Sequence, residues 1–167
     1  AFEPAPPYRG YVEWLHSQPN GEAWWRERLS ASPHVTHLTD SLGRPRCPVP
    51  GSHQLRRILD QRLSGALVAA AQRHRVTLNT LMQGAFALLL ARYCGRGEVV
   101  FGATVAVRPA ELPGVERMLG LFINSLPIWV RVPAQQRLSA WLQGLQAQAT
   151  ELRHYEHTPL AELQRWA

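Results

Sequence analysis

The sequence predicts an α/β domain built as a layered sheet-and-helix unit, and three observations carry that expectation. Val99 to Val107 and Leu121 to Val130 are rich in β-branched and aromatic residues and read as strands. Leu78, Leu81, Met82, Ala85, Leu88 and Leu89 recur at helical spacing, a wide apolar stripe of the kind a helix lays on a sheet. Strands interleaved with helices specify layers rather than a bundle or a sandwich.

The elements follow in order. Ala1 to Pro7, with three prolines, reads as an extended linker, and "YRGYVEWL" follows from Tyr8 to Leu15. Asn20 can cap a short helix, "GEAWWRERL", that carries Trp24, Trp25 and Leu29. Residues 39 to 51 form a proline-punctuated loop, and "HQLRRILD" from His53 to Asp60 alternates like a strand. Ser64 can cap a helix with Leu67, Ala70 and Ala71 on one face. Thr77 can cap the next, whose Met82 to Leu89 stripe is read as core and whose stop is Gly95.

Val99 to Val107 has no alternation, which suits a strand covered on both faces. Arg108-Pro109 breaks it, and a short helical segment around Val115 to Met118 leads into the second strand. Beyond Pro133, Ser139 can cap a helix with Leu142, Leu145, Ala149 and Leu152 facing inward. Thr158 can cap a last helix with Pro159 at its first position and Leu160 and Leu163 on its face. No stop signal follows, so the chain reads as cut before its last elements.

Composition excludes several classes. A chain of 167 residues, 46% hydrophobic and 18% charged, has enough apolar material for a core and is not disordered. The longest clean apolar run, Ala85 to Ala91, is too short to span a bilayer, and the N-terminus lacks the pattern of a secretory signal. Cys47 and Cys94 are too few for a disulfide framework. A soluble, reduced, cytoplasmic protein with no membrane contact is expected. The net charge is +6, and all eighteen basic residues are Arg. They are scattered singly or in pairs such as Arg56/Arg57 and Arg73/Arg75, so nucleic acid is not the expected partner. A mildly basic surface suits an acidic protein or a phosphorylated ligand.

Two polar residues break the second strand. Asn124 and Ser125 stand in "GLFINSLPIWV", and burying an amide or hydroxyl without a partner costs about 1–3 kcal/mol each. They face either a ligand or a neighbouring loop. His154 and His157 are three residues apart with no third ligand in sight, so no metal is expected.

Four segments in one order carry a resemblance: "YRGYVEW" (Tyr8 to Trp14), "FGATVAVRP" (Phe101 to Pro109), "LGLFINSLP" (Leu119 to Pro127) and "YEHTPLAELQRWA" (Tyr155 to Ala167). Together they resemble the C-terminal half of a condensation domain from a nonribosomal peptide synthetase. That family has the chloramphenicol-acetyltransferase-like fold, two lobes in a V around a tunnel. The resemblance implies that residues 1–7 are a linker from an upstream lobe. Residues 8–167 would be the C-terminal, acceptor-side lobe, truncated before its last elements. The implied reaction is amide formation between carrier-bound acyl or peptidyl and aminoacyl thioesters. The implied partners are upstream and downstream peptidyl carrier proteins, the N-terminal lobe of the same domain and an adjacent adenylation domain. No cofactor is bound directly, since the phosphopantetheine arms arrive on the carriers.

The family's His-His-x-x-x-Asp-Gly motif is absent, and the seven histidines here are all isolated, so no catalytic residue is expected in this chain. Asn124, Ser125, Arg108 and Phe122 are expected to line the tunnel or support the active site. Family members can pair an Arg at the position of Arg108 with the Asp of the missing motif, so Arg108 should be unpaired or differently partnered. Tyr8, Tyr11 and Trp14 read as packing anchors where lobe meets linker. The family usually has Asp where Gly10 stands, and Ser125 replaces the commoner Thr. Epimerisation and heterocyclisation domains share the fold, and a docking module that only binds a carrier is a further alternative. "FINSLP" favours condensation over epimerisation.

Overall fold

The computed structural model of the chain describes residues 3–31, 36, 38 and 54–167. They fall into two compact units, one of Ala1–His34, Phe101–Ile128 and Glu151–Ala167, the other of Val35–Val100 and Trp129–Thr150. Strands β1 (Glu98–Ala106) and β2 (Ile123–Arg131) form a two-stranded sheet. Val107 N–H donates to the Phe122 carbonyl at 2.8 Å and Val132 N–H to the Gly97 carbonyl at 2.7 Å. The register is therefore antiparallel, and it sets Glu98 opposite Arg131, whose side chains pair.

β1 is not covered on both faces. Gly102, Thr104 and Ala106 are exposed while Phe101, Ala103 and Val105 are half-buried. Among the described residues it has one neighbouring strand, and small residues on its outer face leave little apolar area to cover. β2 alternates cleanly from Leu126 onward, with Leu126, Ile128 and Val130 buried.

In the first unit, α1 (Arg9–Ser17) and α2 (Glu22–Ala31) are followed, after the strands, by a 3-10 turn at Arg153–Tyr155 and by α6 (Leu160–Trp166). Asn20 accepts the Glu22 N–H at 2.9 Å, which satisfies one of the free donors at the start of α2. Trp25 is fully buried, and its indole N–H donates to the hydroxyl oxygen of buried Thr158 at 2.9 Å. That contact overrides the expected capping role of Thr158: Pro159 occupies the N-cap of α6, with no side-chain cap. A separate core of Tyr11, Val107, Val115, Met118 and Phe122 closes around the 3-10 turn at Val115–Arg117.

The second unit contains α3 (Gln61–His74), α4 (Leu78–Cys94) and most of α5 (Leu138–Leu152). The loop at 39–51, Cys47 and His53 lie outside the described residues. Residues 54–60 are not a strand: all are exposed, Leu55 and Ile58 at 83% and 85%, and no described strand offers them a ladder. α3 starts earlier than Ser64, because the Asp60 carboxylate accepts the Leu63 N–H at 2.7 Å and its charge suits the helix N-terminus. α5 likewise starts at Leu138, one residue before Ser139. α4 keeps its expected ends, with the Thr77 side chain accepting the Thr80 N–H at 3.1 Å and Gly95 at φ 61°.

The Met82 to Leu89 stripe of α4 is not core. Leu78, Met82, Leu88 and Leu89 are 42–52% exposed, while Thr80, Gly84, Ala87, Leu90 and Ala91 are buried. The helix is apolar almost all round, so spacing alone could not choose its inner face. Small residues chose it: a Cβ at Gly84 would stand 2.8 Å from Leu142 Cδ2 and 3.4 Å from the Trp141 ring. Close approach of α5 outweighs the larger side chains on the other face.

Candidate functional site

All seven residues singled out in the sequence fall in the first unit. Phe122 ends the loop that links the strands, and its buried ring is the centre of an aromatic group. Tyr8 meets it edge-on at 5.3 Å, Tyr11 tilts against it at 4.6 Å, and Trp14 stacks on Tyr11 at 5.8 Å. The Tyr8 hydroxyl donates to the Leu121 carbonyl at 2.6 Å, which pins the start of α1 to the same loop. Burial pushes the Tyr11 phenol above its ordinary range, with Tyr8 adding to the shift and Arg108 opposing it.

Arg108 lies on the other side of Phe122. Its guanidinium sits 3.8 Å from the ring centroid, donates to the Val115 carbonyl and reaches the Met118 carbonyl at 3.4 Å. A planar fork over a ring, with carbonyls at its edge, is the geometry at which Arg surpasses Lys. Its partners are the connecting loop's own backbone.

Asn124 uses its whole carboxamide. Nδ2 donates to the Glu156 carbonyl at 2.8 Å and the Thr158 carbonyl at 2.7 Å, and Oδ1 accepts the Ser125 N–H at 2.9 Å. Loop carbonyls therefore hold both of its protons. Ser125 is half-buried, and its hydroxyl has no hydrogen bond among the described residues.

The turn that Asn124 holds carries three further polar groups. His157 Nε2 lies 3.4 Å from the Pro19 carbonyl, with its ring edge-on to Trp14 at 6.0 Å. Burial raises the Glu156 carboxyl above the usual carboxylate range, partly opposed by Arg153. The ring of Tyr155 stacks on Trp24 at 4.0 Å. Among the described residues no three His, Cys, Asp or Glu side chains gather to hold a metal.

Two residues of the site carry little or no signal in the sequence. Gly120 is required because a Cβ there would lie 2.1 Å from Tyr8 Cδ2. A glycine beside aromatic residues in "LGLF" was the available signal. Glu156 gave none, since its environment is made by Asn124, over thirty residues away, and by the turn that Asn124 holds.

A family model described as "Condensation domain" matches residues 1–167. This chain belongs to the condensation-domain family. Its condensation-domain relatives include a linear gramicidin synthase polypeptide of Brevibacillus parabrevis, 45% identical over 173 residues, covering 100% of this chain and 3% of that protein. Chondramide synthase of Chondromyces crocatus is 42% identical over 164 residues, covering 97% of this chain and 4% of that protein. The chain thus spans a few hundredths of the length of these synthases. Among solved structures, a holo four-domain nonribosomal peptide synthetase bound to AMP and glycine superposes with TM-score 0.72 at 22% identity, covering 88% of this chain and 11% of that one. The first condensation domain of the calcium-dependent antibiotic synthetase gives 0.69 at 19%, covering 86% and 31%. At such identities the likeness establishes the fold, the chloramphenicol-acetyltransferase-like fold of condensation domains.

Proposed function

We propose that this chain is the C-terminal, acceptor-side part of a condensation domain that joins a carrier-bound acyl or peptidyl thioester to a carrier-bound aminoacyl thioester. The observation that carries this reading is the family match along all 167 residues, supported by an intact "LGLFINSLP" segment in which the Asn124 amide is fully ordered. The alternatives of epimerisation, heterocyclisation and a purely docking module are not favoured, because the relatives are synthases of the peptide-forming class.

Amine attack on a thioester needs the nucleophile held in line, a proton acceptor and a stabilised oxyanion. The chain has no paired histidines to take the proton, so its own contribution is positional. Arg108 and Phe122 stiffen the loop between the strands. Asn124 sets the turn at Glu156–Thr158. Ser125 keeps a half-buried hydroxyl that suits a pantetheine amide as donor or acceptor. The pantetheine arm is substrate here, delivered by upstream and downstream carriers. The remaining neighbours on this reading are the N-terminal lobe and an adenylation domain, in the cytoplasm. Among the described residues no helix is long and apolar enough to cross a membrane.

The test compares the complete synthetase with this chain alone, each given two loaded carriers. The complete enzyme should form the amide and the isolated chain should not. Product above background from the chain alone, or none from the complete enzyme, overturns the reading.

A further inference from the structure

The charge of this chain is segregated. The second unit holds 11 of the 18 Arg residues and 3 of the 12 acidic ones, a net of +8, whereas the first holds 7 Arg and 9 Glu, a net of −2. Among the described residues of the second unit the single ion pair is Arg131–Glu98, and its Asp60 is occupied in capping α3. The other described arginines of that unit therefore have no carboxylate of their own among the described residues.

Two of them share one line on α3. Arg62 and Arg73 are eleven residues apart, about three helical turns, so they stand on the same side about 16 Å from one another. Both are exposed, as are Ala66 and Ala69 between them, while Ala71 packs inward on the opposite side. Arg73 near the C-terminus complements the helix dipole. Arg62 in the first turn opposes it, a small cost that no ion pair of its own offsets. A cation set where its own helix disfavours it, in a unit short of carboxylates, is suited to an external anion.

We infer that the Arg62–Arg73 face of α3 docks an acidic helix on the downstream carrier protein, with Arg75 at its rim. This rests on the proposal that the chain is the acceptor-side part of a condensation domain. A spaced pair of arginines on a shallow surface fits a transient, salt-sensitive encounter, in which charge sets the rate of approach more than the final affinity.

The experiment uses the complete synthetase carrying Arg62→Glu and Arg73→Glu together. The acceptor aminoacyl group is supplied either on the downstream carrier or as a small soluble thioester. The expected result is a loss of at least tenfold in kcat/KM for the carrier-borne acceptor, shrinking as salt rises, with the soluble acceptor unchanged. Arg165→Glu, an exposed site in the first unit, should leave both rates as they were. Equal losses with both acceptors, no loss with the carrier, or a loss with the upstream carrier alone overturn the docking face. So does loss of duplex nucleic-acid retention in the double variant with carrier kinetics intact. If the parent synthetase makes no amide from either acceptor, the functional reading itself has failed.

Discussion

Asn124 donates to the Thr158 carbonyl at 2.7 Å, and Thr158 in turn accepts the buried indole N–H of Trp25 through its hydroxyl. One asparagine on β2 thereby orders the turn before α6, and that turn receives α2. The amide of the polar pair in the strand has loop carbonyls as its partners.

Asn124→Ala leaves two loop carbonyls without their donors and should cost about 1–3 kcal/mol of folding stability, read by denaturant unfolding. Asn124→Asp should cost at least as much, because a carboxylate presents acceptors to two carbonyls. Unfolding midpoints equal to the parent's for both variants would remove the brace from the account.

Gly120 and Tyr8 form a steric pair. Gly120→Ala places a methyl inside the Tyr8 ring and should destabilise by about 1–3 kcal/mol. In a Tyr8→Ala background most of that cost should vanish, giving a coupling that a double-mutant cycle measures. Additive losses would show that the glycine is needed for some other reason.

Glu156 links stability to pH. Its carboxyl is raised by burial from 4.5, so the folded state holds the proton more tightly than the unfolded chain does. The resulting stability is fully present below the unfolded value and is lost as pH rises through the folded one. Glu156→Gln should flatten that part of the stability profile and leave the variant the more stable form near neutral pH. A profile with the same slope in both proteins contradicts this.

Arg108→Lys keeps the charge and loses the fork over Phe122. The expected cost is about 1 kcal/mol or more, with little dependence on salt, because the lost contacts are a ring face and two carbonyls rather than an ion pair. Lysine at full stability would mean that charge alone matters there.

Features that a few adjacent residues decide were legible in the chain itself. Thr77 and Gly95 bound α4 because a cap is made by side chain and backbone within one turn, and the four family segments lie at recognisable spacing. Both strands were legible from β-branched runs, and Asn124 stood out because an amide in such a run needs a partner. The identity of that partner was a matter of packing, since the Glu156 and Thr158 carbonyls lie 32 and 34 residues away. Packing likewise selected the inner face of α4, where close approach to Leu142 at Gly84 outweighed larger apolar side chains that periodicity favoured. Thr158 shows the same competition: local pattern made it a helix cap, and the buried indole of Trp25, 133 residues away in sequence, claimed its oxygen. A buried donor without a partner costs more than an uncapped helix end open to water, so the distant contact prevailed.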